Sequence, residues 1–112
     1  MKNKENLEAL VLGALRIGPL HGYAISKAIK EQGAGALKLG ENRLYPTLHN
    51  LERAGFVTAE WQPQENKPPR KVYQLTHSGH AELAKYRKQW EQYAAGVNSI
   101  LGIHGKLEGD HG

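Results

Sequence analysis

The sequence predicts a mainly α chain with one small β-hairpin, an α+β domain that ends in a single long helix. Three observations carry this. Up to residue 55, apolar residues recur at helical spacing in three successive segments. Over residues 56–75 the period changes to two short runs rich in β-branched and aromatic residues. From Thr76 to residue 101 the apolar positions fit a heptad.

The totals bound the possibilities. A chain of 112 residues makes one small domain with room for an appended element. Lys and Arg number 15 against 11 Asp and Glu, a net charge of +4. That balance is compatible with a nucleic-acid partner without specifying one. There is no cysteine, which excludes disulfides, thiol catalysis and cysteine-ligated zinc. No apolar run approaches the roughly 18 residues of a membrane span. The stretch Met1-Lys-Asn-Lys-Glu leads into no secretory pattern. The expectation is a soluble cytoplasmic protein with no membrane partner.

Residues 5–16 read as the first helix. Leu7, Leu10, Val11, Ala14 and Leu15 form its stripe, and Ala9 and Leu12 widen it. A helix that apolar is expected to be buried on two sides, one of them against a partner. Gly18-Pro19 ends it. His21-Gly22 opens a second helix over residues 23–32, with Ile25, Ala28 and Ile29 inward and Lys27, Lys30 and Glu31 outward. Gly33-Ala-Gly35 stops it.

Residues 40–55 form the third helix. Leu44, Leu48 and Leu51 make its apolar stripe, and Asn42, Tyr45, Pro46, His49, Asn50 and Arg53 fall on the other side or its flanks. Pro46 has no N–H to offer the Asn42 carbonyl, so a distorted or 3₁₀-like first turn is expected. Next come two strands, residues 56–61 and 71–75. The polar connection between them holds Pro63, Pro68 and Pro69 and reads as an extended loop with a basic tip at Lys67, Arg70 and Lys71.

Thr76 suits an N-cap. The helix after it, residues 77–101, would run about 35 Å at ~1.5 Å per residue. Leu83, Trp90 and Val97 occupy one heptad position and Tyr86, Tyr93 and Ile100 the other. A small core cannot cover that length, so this seam is expected to bury against a second copy of the chain. Residues 102–112 carry four glycines and little apolar content and read as a disordered tail. The organisation is thus a domain over residues 1–75, a dimerisation helix over 76–101 and a tail over 102–112.

Three helices, a hairpin and a long helix is the order of a winged helix-turn-helix, whose third helix enters the DNA major groove while the hairpin, or wing, lies along the backbone or minor groove. Asn42, Arg43 and Asn50 are the base-edge candidates, since Asn and Arg pair bidentately with adenine and guanine edges. Tyr45, Thr47, His49 and Arg53 join them in the DNA-facing set, with phosphate as the other target. At the wing, Lys67, Arg70 and Lys71 are candidate phosphate or minor-groove ligands.

Three motifs carry a resemblance. They are Gly18-Pro-Leu-His-Gly-Tyr-Ala-Ile25, Leu44-Tyr-Pro-Thr-Leu-His-Asn-Leu-Glu52 with Gly55 following, and Pro69-Arg-Lys-Val-Tyr-Gln-Leu-Thr76 with Gly79 following. In this order and spacing, over about residues 7–101, the chain resembles the PadR family of transcriptional regulators, in its smaller form with a single C-terminal helix. The resemblance implies a homodimeric DNA-binding regulator, usually a repressor, whose activity often answers to small aromatic or drug-like compounds. In some members the ligand sits between subunits beside an aromatic residue of the last helix. On that basis Trp90, with Tyr86, Tyr93 and Leu12, forms the candidate effector site. Two departures stand out: Asn42-Arg43 replaces the small residues usual before Leu-Tyr-Pro, and His77-Ser78 replaces acidic residues before Gly79.

Other chemistries are poorly supported. The chain has six histidines, and the pair His77 and His80 has no carboxylate or thiol partner, so no metal is expected. No nucleophile–base motif or phosphate loop is present, so neither an enzyme nor a cofactor is expected. The reading is a homodimeric sequence-specific regulator on an inverted-repeat operator. Its rival is a winged-helix module that holds protein instead of DNA, separable by the salt dependence of binding.

Overall fold

The computed structural model describes residues 6–37 and 39–103. The elements are α1 (Leu7–Ala14), β1 (Leu20–His21), α2 (Gly22–Gln32), α3 (Glu41–Arg53), β2 (Val57–Gln64), β3 (Lys67–Leu75) and α4 (His77–Leu101). The three strands form an antiparallel sheet in the order β1-β3-β2. The mainly α architecture with a small hairpin and a long last helix is therefore as expected, with corrections to β1, the wing, Pro46 and the length of α1.

The first concerns β1. His21 opens the second helix as expected, as its extended N-cap, but Leu20 and His21 also pair with Tyr73 and Val72 of β3, a strand not expected there. Two residues show no periodicity, so only the partner strand defines this element.

The second concerns the wing. The expected loop over residues 62–70 is mostly strand. Gln64 pairs with Lys67 across a tight turn at Glu65 and Asn66, with Asn66 at φ 58°. Asn is one of the few side chains that accept this left-handed conformation. The register shifts between Gln62 and Gln64, placing one extra residue on β3 opposite Pro63. The prolines fit because β2 is an edge strand and the bulge on β3 interrupts the ladder.

The third concerns Pro46. It lies inside an α-helix that is continuous over Glu41–Arg53. The Gly40 carbonyl accepts from Leu44 N at 2.9 Å and also from Arg43 N at 3.1 Å. The first α-turn is therefore closed before the proline, and the 3₁₀ character is confined to one shared acceptor. Pro46 has a φ suited to the helix and removes only the donor to Asn42.

The core lies between the helices and the inner sheet face. Val11, Leu12, Ile25, Leu44 and Leu48 are fully buried, joined by Leu15, Ile29, Leu39, Leu51, Val57, Tyr73, Leu75 and Leu83. Asn6 caps α1, its side chain accepting from Ala9 N at 3.3 Å. α1 is shorter than the expected residues 5–16 because the chain leaves the helix at Leu15, ahead of Gly18-Pro19.

α4 has the expected bounds and cap. Thr76 Oγ1 accepts from Gly79 N at 3.0 Å and donates to the Gly55 carbonyl at 2.7 Å. Gly79 is required there: a Cβ would run into the Phe56 carbonyl. The helix ends on Gly102 at φ 78°, and Ile103 N reaches back to the Asn98 carbonyl at 2.8 Å. This 6→1 closure is the Schellman form. Gly102 and Ile103 thus belong to the cap; the rest of the expected tail lies outside the described residues.

Candidate nucleic-acid interface

On α3 the inner stripe is Leu44, Thr47, Leu48 and Leu51, all buried. That leaves Asn42, Arg43, Tyr45, His49, Asn50 and Arg53 on the exposed surface, as the helical spacing predicts. Thr47 does not belong with them. It is buried, and its Oγ1 donates to the Arg43 carbonyl at 2.8 Å, so the hydroxyl is spent within the helix. The methyl of threonine fits an apolar face and the hydroxyl finds a carbonyl one turn back.

Tyr45 also packs within the fold. Its ring lies against Gly22 so closely that a Cβ on that glycine would overlap the phenol. Glycine at the start of α2 therefore lets α3 approach. Burial pushes the Tyr73 phenol above its ordinary range; Lys71 opposes that shift, and Glu52 and Tyr45 reinforce it.

Lys71 is the link between α3 and the wing. Its Nζ lies 3.5 Å from Glu52 Oε1, 5.5 Å from the Tyr73 ring centre and 5.9 Å from that of Trp61. Lysine over aromatic faces is attracted by the ring quadrupole. Of the three basic residues assigned to the wing tip, Lys71 is thus engaged inside the fold, while Lys67 and Arg70 are exposed. Partial burial, and then the charge of the Arg70 guanidinium, hold the His21 imidazole below its ordinary range. His21 stacks on Tyr23 with ring centres 6.4 Å apart.

Two exposed aromatics beside this surface were not among the expected site residues. Trp61 is 65 % exposed and so is Tyr23. Trp61 follows Val57 and Ala59 at period two, and Lys71 stands directly opposite it in register. The alternation was available in the sequence; the pairing with Lys71 was not.

The expected effector and dimer residues separate along α4. Trp90 and Tyr93 are exposed, their rings tilted at 47° with centres 5.5 Å apart. Ile100 is exposed and Val97 half-buried. Tyr86 is half-buried against the core, its hydroxyl donating to Glu8 Oε1 of α1 at 3.3 Å. Burial and the Glu8 and Glu82 carboxylates raise its phenol above the ordinary range. Leu12 and Leu83 sit in the chain's own core, so the protomer presents neither side chain at its surface for the aromatic slot or the seam expected of them. Among the described residues no three His, Asp or Glu side chains converge on a metal position, and no helix is long and apolar enough to cross a membrane.

The chain is similar to known proteins over this same region. The transcriptional regulator PadR of Bacillus subtilis, a negative regulator, is 38 % identical over 77 residues, which are 69 % of this chain and 42 % of that protein. The chain therefore spans less than half the length of this relative. The transcriptional regulator Rv3488 of Mycobacterium tuberculosis is 31 % identical over 78 residues, 70 % of this chain and 69 % of that one. Among solved structures, a PadR family regulator from Eggerthella lenta superposes with a TM-score of 0.73 at 34 % identity, covering 88 % of this chain and 84 % of that one. Bacillus subtilis PadR in complex with operator DNA superposes with a TM-score of 0.68 at 35 % identity, covering 73 % of this chain and 46 % of that one. The model of the transcriptional regulator PadR-like family matches residues 11–85, from the buried face of α1 to the first turns of α4, and the chain belongs to that family.

Proposed function

We propose that the protein is a homodimeric, sequence-specific DNA-binding regulator that acts as a repressor and is released by a small aromatic ligand. The observation that carries this reading is the exposed polar face of α3 standing beside the wing, tied to it through Glu52 and Lys71. Asn42, Arg43, Asn50 and Arg53 supply the groups that pair with base edges and phosphates. Lys67 and Arg70 add exposed cations on the wing. The likeness to a PadR crystallised with operator DNA supports the same use of this surface.

The dimer rests on the outer half of α4. Trp90, Tyr93, Ile100 and Leu101 are exposed there, and an apolar row of that kind suits a two-fold contact. Such a contact would set the spacing of the two α3 helices on an inverted repeat. The Trp90–Tyr93 pair offers a flat aromatic ligand a face near the two-fold axis. The ligand acts only if it prefers the dimer geometry that does not fit the operator.

The test is binding of the duplex upstream of the protein's own gene, followed over a salt series. Affinity should fall linearly on a log–log plot, and Arg53→Ala and Arg70→Ala should each lower the slope by about 1. If no such duplex binds the wild-type chain at low salt, the DNA-binding reading fails. Light scattering should give a dimer, and a monomer would overturn that part alone. Flat aromatic ligands should quench tryptophan emission in the wild-type chain and not in Trp90→Phe.

A further inference from the structure

We propose that Trp61 is a DNA-contacting residue of the wing, its indole lying on the sugar–phosphate backbone of the bound duplex, with Lys71 and Glu52 as the residues that position it. This rests on the DNA-binding reading above and adds a contact to it.

Trp61 is 65 % exposed on a paired strand, so its position is fixed by the ladder and not by burial. It shares a strand face with Val57 and Ala59, the face turned towards the core and α3. It lies past the end of that core, 65 % exposed, with the Lys71 ammonium over its ring. Lys71 stands opposite in register, its ammonium 5.9 Å from the ring centre and 3.5 Å from Glu52 of α3. The indole is thereby held next to the last turn of α3, the turn that carries Arg53.

The surroundings select the partner. Glu52 is matched by Lys71, Arg53 is an exposed cation on the adjoining turn of α3, and Lys67 and Arg70 are exposed on the other face of the same hairpin, opposite Gln64 and Gln62. A polyanion fits this field, and a protein surface of mixed charge fits it less well. Within DNA, the deoxyribose offers an apolar surface to the ring and the phosphate oxygens accept from the indole N–H. A bare indole with a donor at its edge suits both at once. Lys71 then serves the contact without itself reaching a phosphate.

The experiment uses the full chain with fluorotryptophan at both tryptophan positions. The Trp61 resonance is the one that disappears in Trp61→Phe. Adding the upstream duplex should shift or broaden that resonance, and Trp61→Ala should weaken binding roughly tenfold, with Trp61→Phe recovering part of the loss. Since Trp61 is exposed, Trp61→Ala should keep the wild-type melting temperature, which separates lost contact from lost fold. Lys71→Met should displace the Trp61 resonance of the free protein and leave the salt slope unchanged; a slope lower by about 1 would make Lys71 a phosphate ligand and overturn its positioning role. A duplex that binds wild type and Trp61→Ala equally, with the Trp61 resonance still, overturns the assignment and leaves DNA binding intact. A wild-type chain that binds no duplex removes DNA binding and this contact together.

Discussion

The two halves of α4 carry the same apolar heptad and meet opposite surroundings. In the first half, Gly79 abuts the Phe56 carbonyl, Leu83 is buried in the core and Tyr86 bonds to Glu8 of α1. In the second, Trp90 is 62 % exposed and Ile100 85 % exposed. Periodicity identifies the face of a helix that avoids water, but it does not say which surface covers it. One stretch of α4 is part of the domain; the other presents a row of exposed apolar side chains.

The largest break in this comparison should come from one substitution made in both halves. Gly79→Ala places a Cβ against a backbone carbonyl that has no room to retreat. It should cost about 3 kcal/mol, the upper end of overpacking. Gly96→Ala meets nothing within 4 Å. It should stabilise the helix by roughly 0.5–1 kcal/mol. Urea denaturation of the two variants reads both signs. A destabilising Gly96→Ala would mean that a second copy packs against that position.

Truncation of the core anchor comes next. Leu83→Ala removes a buried side chain from between α4 and the core, and should cost ~2–3 kcal/mol. Tyr86→Phe removes only the hydroxyl bond to Glu8. A single partly exposed hydrogen bond should be worth about 0.5–1 kcal/mol. If both variants instead left unfolding unchanged, the first half of α4 would not be anchored to the domain.

The same distinction between a face and its partner explains what the sequence disclosed. The bounds of α4, its Thr76 cap and the inner stripe of α3 follow from local spacing, and all were legible. β1 was not, because two residues have no period and exist as a strand only through Tyr73 and Val72 of β3. The wing was too short in the sequence reading because prolines signal a loop. Here Pro63 sits on an edge strand and Pro68 and Pro69 beside a bulge, places where a missing donor is tolerated. Most exposed residues of α3 were placed correctly by helical angle. Thr47 was misplaced because its residue type suits either face. Leu12 and Leu83 were assigned to a surface because their own core was not visible in the periodicity. Trp61 gained its interest only from Lys71 across the ladder, and strand register is a long-range property.

The smallest effect on the fold should come from Ile100→Glu, and it is the one that most sharpens the comparison. Ile100 is the most exposed large apolar residue of α4. In an isolated protomer, replacing it by a charge should change stability by less than about 0.5 kcal/mol, as at other surface positions. In a dimer built on this half of the helix, the same charge would lie in an apolar contact facing its own symmetry copy. Desolvation and like-charge repulsion would then act together. Ile100→Glu should therefore shift the assembly towards monomer in sedimentation or light scattering. The wild-type melting temperature should rise with protein concentration, and that of the variant should not. Identical concentration dependence in both chains would show that this half of the helix is not the contact, and the exposed row would need another partner.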